Sequence, residues 1–520
     1  MNVVVVVVVA ENAVSTTSES TTTATFLASE GFVVNKETVR TDAQIRAHGL
    51  SAYLSLPIIH SHGKRALTKE TQQALITSLF FALVPSMAWA GDQEPVFYGG
   101  QATLAAGALS AYTEEADAAW YNPACLASIN RRKVSLSGSN IALRVRSRPA
   151  ILQARLDEGV VSVDDDYISM AFIPIGMAMA HSLNDRLTVG GGFYFRERDL
   201  FETQADLHLT DEGGAVLPEF PVATFGLRHQ RWKLDFGLAL GWQLTSRVRL
   251  GFAIFSNLFR ETTDVSVNHQ REESDWDSPA AEGYHLDLQL KTVSLRGFVV
   301  IGVQVMLAPR WYLGLVYRTS EASLWTLDTP TSTRAFEALE PVFGQATRRR
   351  VTGTDRGSLI ELVNPALFRL ALAYRGQRGW IAVEAEVAPP HRNERLGYDE
   401  DLLWNVRIGG QYSITPRFAM GGGFFTANSS LRAPDGIVNP MIDYYGITLG
   451  MSFRKEHTVR GRTEPLVFST TMAGRCALGV GESGGLSYDP YDISAGYARG
   501  VDTETMVYDV SGYFGTSILF

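Results

Sequence analysis

The amino-acid pattern predicts an all-β fold, a 14-stranded antiparallel transmembrane β-barrel with a small N-terminal helical hatch (plug). Three observations predict it. Hydrophobic residues alternate with a period of two in runs of about ten residues, longer than the ~5–6 of a soluble strand and right for a tilted membrane strand. The connections between runs are short on one side and long on the other. The third observation is composition. Of 520 residues only 19% are charged, while 47 are Gly and 10% are aromatic, a Gly-rich and charge-poor balance. A mean hydropathy of −0.01 excludes a polytopic helical membrane protein. The formal net charge of −9 argues against a nucleic-acid binder, which carries a basic face. Two cysteines exclude a disulfide scaffold and a Cys-based zinc cluster.

The elements follow in chain order. Residues 1–61 hold a valine run (Val3–Val9) and a Ser/Thr tract (Ser15–Thr25) without periodicity. Seven apolar residues cannot span a bilayer, which takes about 20. Residues 62–90 have the layout of a secretory signal: basic Lys64, Arg65 and Lys69, apolar Ala74–Val84, then Ala88-Trp89-Ala90 as an A-x-A cleavage site. A signal belongs at the start of a chain, so residues 1–61 are expected to be a gene-model extension or disordered. Residues 91–132 do not alternate. Gln101–Ala111 is Ala/Gly-rich, Thr113–Trp120 reads as helical, and Pro123 ends that helix because it cannot continue the hydrogen-bond ladder. A small-residue segment placed before a barrel suggests a plug inside the lumen.

Residues 133–520 form the barrel. The alternation predicts strands at 133–143, 167–175, 187–196, 231–243, 247–256, 284–306, 310–320, 366–376, 379–388, 401–413, 416–427, 440–454, 464–478 and 506–520. In 380–387, for example, Ile381, Val383, Ala385 and Val387 alternate with Ala382, Glu384 and Glu386. Glu384, Glu386, Arg407, Asp287 and Lys291 fall on the inward face and call for a polar lumen. The sheet must close, because an unpaired backbone group in hydrocarbon costs several kcal/mol. The chain ends in Phe520, with Phe514 and Ile518 on one face of the last strand. That ending resembles the C-terminal signature through which bacterial barrels meet the barrel assembly machinery.

Gly100, Ala106-Gly107-Ala108, Ala116, Ala119, Asn122-Pro123-Ala124, Arg132 and Ser135 together resemble the FadL/TodX family of outer-membrane transporters for long-chain fatty acids and other hydrophobic compounds. Phe172-Ile173-Pro174 through Leu187-Thr188-Val189-Gly190 is similar to that family's strand-two to strand-three hairpin. The resemblance covers nearly all of 91–520. It implies a hatch containing Asn122, Pro123 and Ala124, whose rearrangement passes the substrate inward, and sideways release beside a kinked third strand. Gly190, Gly191 and Gly192 supply a physical basis for that lateral-gate kink, since consecutive glycines weaken a strand. Phe97 and Tyr98 are candidates for contacts in a lumenal pocket.

Other signals carry less. Gly479–Gly485 matches two glycine motifs that require a strand-to-helix turn, but its continuation reads as an outer loop. Asp164-Asp165-Asp166 reads as a solvated acidic loop rather than a cation site. Cys125 and Cys476 read as separate thiols. No metal, no cofactor and no catalytic residue is expected, so the chain is not read as an enzyme. The expected function is diffusion-driven uptake of long-chain fatty acids or other hydrophobic small molecules across the outer membrane of a Gram-negative bacterium. The expected state is a monomer among outer-membrane lipid and lipopolysaccharide. The alternative is a barrel of the same type serving as a structural or assembly component of a surface secretion or motility machine.

Overall fold

The computed structural model describes residues 97–520 except 138–139, 157–158, 174–175, 208–220, 272–282, 336–350, 353–354, 357–360, 394–397, 433–439, 459–463 and 489–497. The expectations for residues 1–61, for the signal at 62–90 and for the first residues of the hatch lie outside that range.

Fourteen barrel strands are described. They are β1 (Lys133–Ser137, resuming as Asn140–Leu156), β2 (Gly159–Ile173, resuming as Gly176–Asn184), β3 (Leu187–Leu207), β4 (Pro221–Gln243) and β5 (Val248–Arg271). Then come β6 (Gly283–Ala308), β7 (Trp311–Arg318, resuming as Glu321–Ala335), β8 (Glu361–Asn364, resuming as Leu367–Arg375), β9 (Gly379–Ala388) and β10 (Leu403–Thr415). The last are β11 (Phe418–Ala427), β12 (Met441–His457), β13 (Leu466–Tyr488) and β14 (Ala498–Leu519). Sequential neighbours pair antiparallel, and β14 returns to β1 from Lys133↔Leu519 to Ser147↔Met506. The backbone N–H of Phe520 donates to Arg132 O at 2.9 Å and extends this seam to the last residue. A three-residue parallel contact between β1 and β13 is the local exception to the antiparallel pattern.

The period-two pattern sorts as expected. On β9, Ile381, Val383 and Val387 face outward, while Glu384 and Glu386 face inward and are buried. On β10, Trp404, Ile408 and Tyr412 face outward, and Asn405 and Arg407 inward. Outward aromatic pairs such as Trp311–Tyr374 and Phe418–Phe453 stand near the short turns. The outer surface is thus an apolar belt suited to hydrocarbon. The side chain of Asp287 is outside the described set, and Lys291 is half-buried.

The structure corrects the expected strand ends. At the long-loop end the strands run well past the alternating core, with β3 reaching Leu207, β5 reaching Arg271 and β14 beginning at Ala498. Asp164–Asp166 therefore lies within β2 and not in a loop. Asp165 is ion-paired with Arg148 across β1–β2, and Asp164 Oδ1 accepts from the Ala150 N–H at 2.8 Å. Gly479–Gly485 is likewise strand, paired with Val507–Val501 of β14. Beyond the apolar belt a strand still satisfies its backbone by pairing, but nothing requires its outer side chains to be apolar. Alternation fades there while the ladder continues.

Candidate functional site

The lumen holds the hatch. Its described part, residues 97–132, contains α1 (Gly100–Leu104), α2 (Ala118–Tyr121) and a 3-10 helix (Pro123–Ser128). The helix expected over 113–120 is confined to α2, because the chain turns at Glu115–Asp117 before it winds. Small side chains dominate, and Ala102, Ala105, Ala106, Ala108, Ala116, Ala118 and Ala119 are all fully buried.

Asn122, Pro123 and Ala124 form the turn between α2 and the 3-10 helix. Asn122 is extended, and its Oδ1 accepts from the Ala124 N–H at 3.0 Å, which caps the helix. Pro123 occupies the first position of that helix, where a missing N–H costs nothing. Asn122 Nδ2 donates to Ser110 O at 2.6 Å and to Val303 O of β6 at 3.3 Å. One side chain therefore ties two hatch segments to each other and to the wall.

The wall beneath this turn lacks side chains. Gly241, Gly251 and Gly302 are direct cross-strand neighbours on β4, β5 and β6. A Cβ on Gly251 would overlap the backbone of Pro123 and Ala124, and one on Gly302 would overlap Asn122. Thr188 of β3 continues the row and donates from Oγ1 to Ile129 O at 3.1 Å. Sequence reasoning missed this glycine row. Its signal is visible once the strands are in register, since each glycine holds an inward position of an adjacent strand.

The opposite flank of the hatch meets charge. The Ser110 N–H donates to Glu384 Oε2 at 2.9 Å. Glu384 and Glu386 on β9 are ion-paired with Arg407 on β10 at 3.2 and 3.4 Å. Arg369 of β8 pairs with Glu386 at 2.6 Å, and all four side chains are buried. Asn405 donates to Glu386 at 3.2 Å, so the cluster is hydrogen-bonded beyond its ion pairs. That is the condition under which buried charge is tolerated. Gln304 Nε2 on β6 donates to Ala111 O at 2.7 Å.

Phe97 and Tyr98, the first described residues, are both buried. Phe97 packs edge-on against Phe425 at 5.2 Å, with Arg475 over the Phe425 ring. Tyr98 lies in an aromatic cluster with Trp120 and Tyr194, which Phe255 and Phe298 extend. The Tyr98 hydroxyl donates to Phe195 O of β3 at 2.6 Å.

That bond falls at a singular place. The β2–β3 ladder runs from Asn184↔Leu187 to Gly176↔Tyr194 and stops there among the described residues. Outward of it, β2 pairs with β1 and β3 pairs with β4. Phe195 is the first β3 residue past the end of the β2 ladder, and its carbonyl is taken by the hatch. Gly190, Gly191 and Gly192 lie below this point, in register with Ala180–Ala178 of β2 and Ala239–Gly237 of β4. The register shift on β3 falls between Phe195 and Glu197.

At the short-turn end a cavity of about 580 Å³ separates the hatch from the inner wall of β8–β14 and β1. Gln101, Glu115, Lys133, Ser135, Ser469 and Thr471 are among its lining residues, so its surface is mainly polar. Cys125 is buried in the 3-10 helix and Cys476 is exposed on the outer face of β13, so the two thiols are separate and both free. Burial pushes the Cys125 thiol up to about 12. Among the described residues no group of acidic, His and Cys side chains has the arrangement of a metal site.

No protein-family model matches the sequence, and no curated protein matches it. Solved structures do match. A Pseudomonas aeruginosa FadL homologue superposes with a TM-score of 0.53 at 14% identity, covering 81% of this chain and 98% of that one. The Pseudomonas putida toluene transporter TodX gives 0.50 at 13% identity, covering 83% and 99%. A deltaS2 mutant of TodX, described as a monoaromatic hydrocarbon channel, gives 0.53 at 14% identity, covering 82% and 100%. At such identities the likeness is one of fold, and the chain is a closed 14-stranded, hatch-bearing barrel of the FadL/TodX fold.

Proposed function

We propose that the protein is an outer-membrane channel for diffusion-driven uptake of long-chain fatty acids or other hydrophobic small molecules in a Gram-negative bacterium. The observation that carries this reading is the pairing of a seated hatch with the point where, among the described residues, the β2–β3 ladder ends. The lumen is closed by a segment held through aromatic packing and single hydrogen bonds. One of those bonds, Tyr98 to Phe195 O, sits where the β2–β3 ladder ends. An apolar solute reaching the aromatic cluster around Trp120 would compete with Tyr98 for that position. Displacement of the arm would then open a sideways route to the lipid-facing surface between the outer halves of β2 and β3. Such a route spares an apolar solute the polar cavity at the short-turn end, where desolvating the lining groups would cost free energy. In this reading the lateral gate comprises Gly190–Gly192 below the gap and Phe195 at its edge.

The likeness in fold to TodX, which is described as a toluene transporter, supports the class. The test is uptake of radiolabelled oleate and of an alkane by a strain lacking this protein and its paralogues, with and without a plasmid copy. Restored uptake supports the proposal. Equal uptake in both strains refutes it and favours the role of a structural partner in a surface machine.

A further inference from the structure

Asp117 differs from the other described hatch carboxylates, because Glu114 is ion-paired with Arg375 and Glu115 with Lys133, whereas Asp117 has no ion-pair partner among the described residues. It is fully buried, and the Ser135 hydroxyl is the one side-chain donor among the described residues close enough to favour its ionised form, without forming a well-directed hydrogen bond. It packs so closely on Gly99 that a Cβ there would overlap its carboxylate. Gly99 is the residue after Tyr98 and adopts a positive φ of 89°, so Asp117 lies directly behind the aromatic arm. The groups facing it are Glu115 of the hatch, Lys133 and Ser135 of β1, Tyr121 of α2, Tyr194 of β3 and Tyr513 of β14. The Tyr194 hydroxyl lacks a hydrogen-bond partner among the described residues, while that of Tyr513 lies near Ser137 and Thr103. Lys133, the cation among these groups, is held by Glu115 at 2.9 Å.

We infer that Asp117 is a proton-controlled latch, which when neutral holds the Phe97–Gly99 arm seated and when ionised favours its release. An ionised carboxylate with no more than the Ser135 hydroxyl to solvate it in a buried site is unfavourable, whereas the neutral acid gains an O–H that can reach a hydroxyl oxygen. Burial raises its pKa to about 7, Glu115 adds to the rise, and Ser135 and Lys133 oppose it. The proton has a route, because Glu115, Lys133, Ser135, Gly99 and Tyr513 all line the polar cavity at the short-turn end. The latch therefore reads the pH on the side opposite the long loops.

The sign follows from linkage. With the arm released, Asp117 is solvated and titrates near the ordinary value of about 3.9. The seated state thus binds the proton more tightly, and seating is strongest below about pH 4. The released fraction grows about tenfold per unit as pH rises from roughly 4 to 7, then levels off.

This inference rests on the proposed function only in taking the hatch as the moving part, and its test needs no substrate. Cys125 is a buried reporter in the hatch, and Cys476→Ala leaves it as the sole cysteine of the chain. Its labelling by a small water-soluble methanethiosulfonate is followed from pH 5 to 8 in nanodiscs. Each rate is divided by that of Asp117→Asn at the same pH, which cancels the thiol's own titration. The expected ratio rises on the order of a hundredfold between pH 5 and 7 and is flat above. A ratio independent of pH overturns the latch and leaves the transport proposal standing. No labelling of either protein at any pH shows an immobile hatch and overturns both. Should Asp117→Asn fail to assemble, Lys133→Met replaces it. Losing the ammonium must move the wild-type midpoint to higher pH, and an unmoved midpoint overturns the latch.

Discussion

The two flanks of the hatch are seated by different physics. Residues 122–126 lie on Gly241, Gly251 and Gly302, where wall and plug meet backbone to backbone. Residues 108–112 meet the Glu384–Glu386–Arg369–Arg407 cluster, where a single N–H bonds a carboxylate already held by arginine. The glycine flank is a fit of shapes. Its energy comes from close packing, which is lost with small displacement and has no substitute in water. The charged flank has one such close contact, Ser110 and Ala111 on Gly314, and adds to it an exchange of hydrogen bonds in which water or a ligand can supply the missing partner. A plug built this way has a fixed side and a negotiable side.

That contrast can be broken at either flank. Gly251→Val should act most strongly, because its methyls occupy the space of Pro123 and Ala124 and overpacking costs about 3 kcal/mol or more. The barrel should still migrate as a heat-modifiable band in electrophoresis, while planar bilayers show long-lived openings absent from wild type. Closed-state conductance in that variant would mean that the glycine seat is not what holds the plug.

Glu384→Gln comes next. It keeps an acceptor for the Ser110 N–H but leaves Arg407 with one carboxylate. The expected cost is about 2 kcal/mol, less than the ~3–5 of a fully broken buried pair because Glu386 still faces both arginines. Brief openings should appear in the same recording, their frequency falling as salt rises and screens the excess positive charge of the two arginines.

Asn122→Ala removes the helix cap and the tie to Ser110 and Val303, for about 1–2 kcal/mol. Cys125 labelling should speed up about tenfold or more with the barrel intact, and an unchanged rate would remove Asn122 from the list of hatch ties. Tyr98→Phe is the mildest, losing one hydrogen bond worth about 1 kcal/mol while its ring stays in the aromatic cluster. Uptake of an apolar solute should rise a few-fold with no change in ion conductance, a split that only an arm guarding the β2–β3 edge produces.

The fold was legible because a membrane barrel writes its inside and outside into every second residue. Ile381 and Glu384 differ in parity, and that alone decides which faces lipid. The strand ends were not legible. Asp164–Asp166 and Gly479–Gly485 pair through their backbones, which leave no mark on side-chain pattern. Within the hatch, Asn122-Pro123-Ala124 stood out as a motif, and its place against the wall could not. The glycine row exists only in register: Gly241, Gly251 and Gly302 are unremarked in sequence and adjacent in space. Asp117 hid for a similar reason, since an acidic residue in Glu114–Asp117 looks solvated until its neighbours are placed around it.

The link from the 3-10 helix to β1 is four residues, Ile129 to Arg132, and Ile129 O is itself bonded to Thr188. Four residues reach at most about 14 Å even when fully extended. The carboxyl half of the plug is therefore leashed, and its local concentration at its own seat stays high however often it lifts. Reclosure is unimolecular and independent of protein concentration, and no proteolytic or osmotic accident can wash this half away without cutting the chain. In the proposed mechanism the amino-terminal half swings farther than this leashed half, about a hinge near Asn122, and the shorter lift of the leashed half is what uncovers Cys125. On the proposed mechanism the pore so opened would lie under the Phe97–Tyr98 arm, beside β3, with an aperture set by the arm's length and not by the width of the barrel.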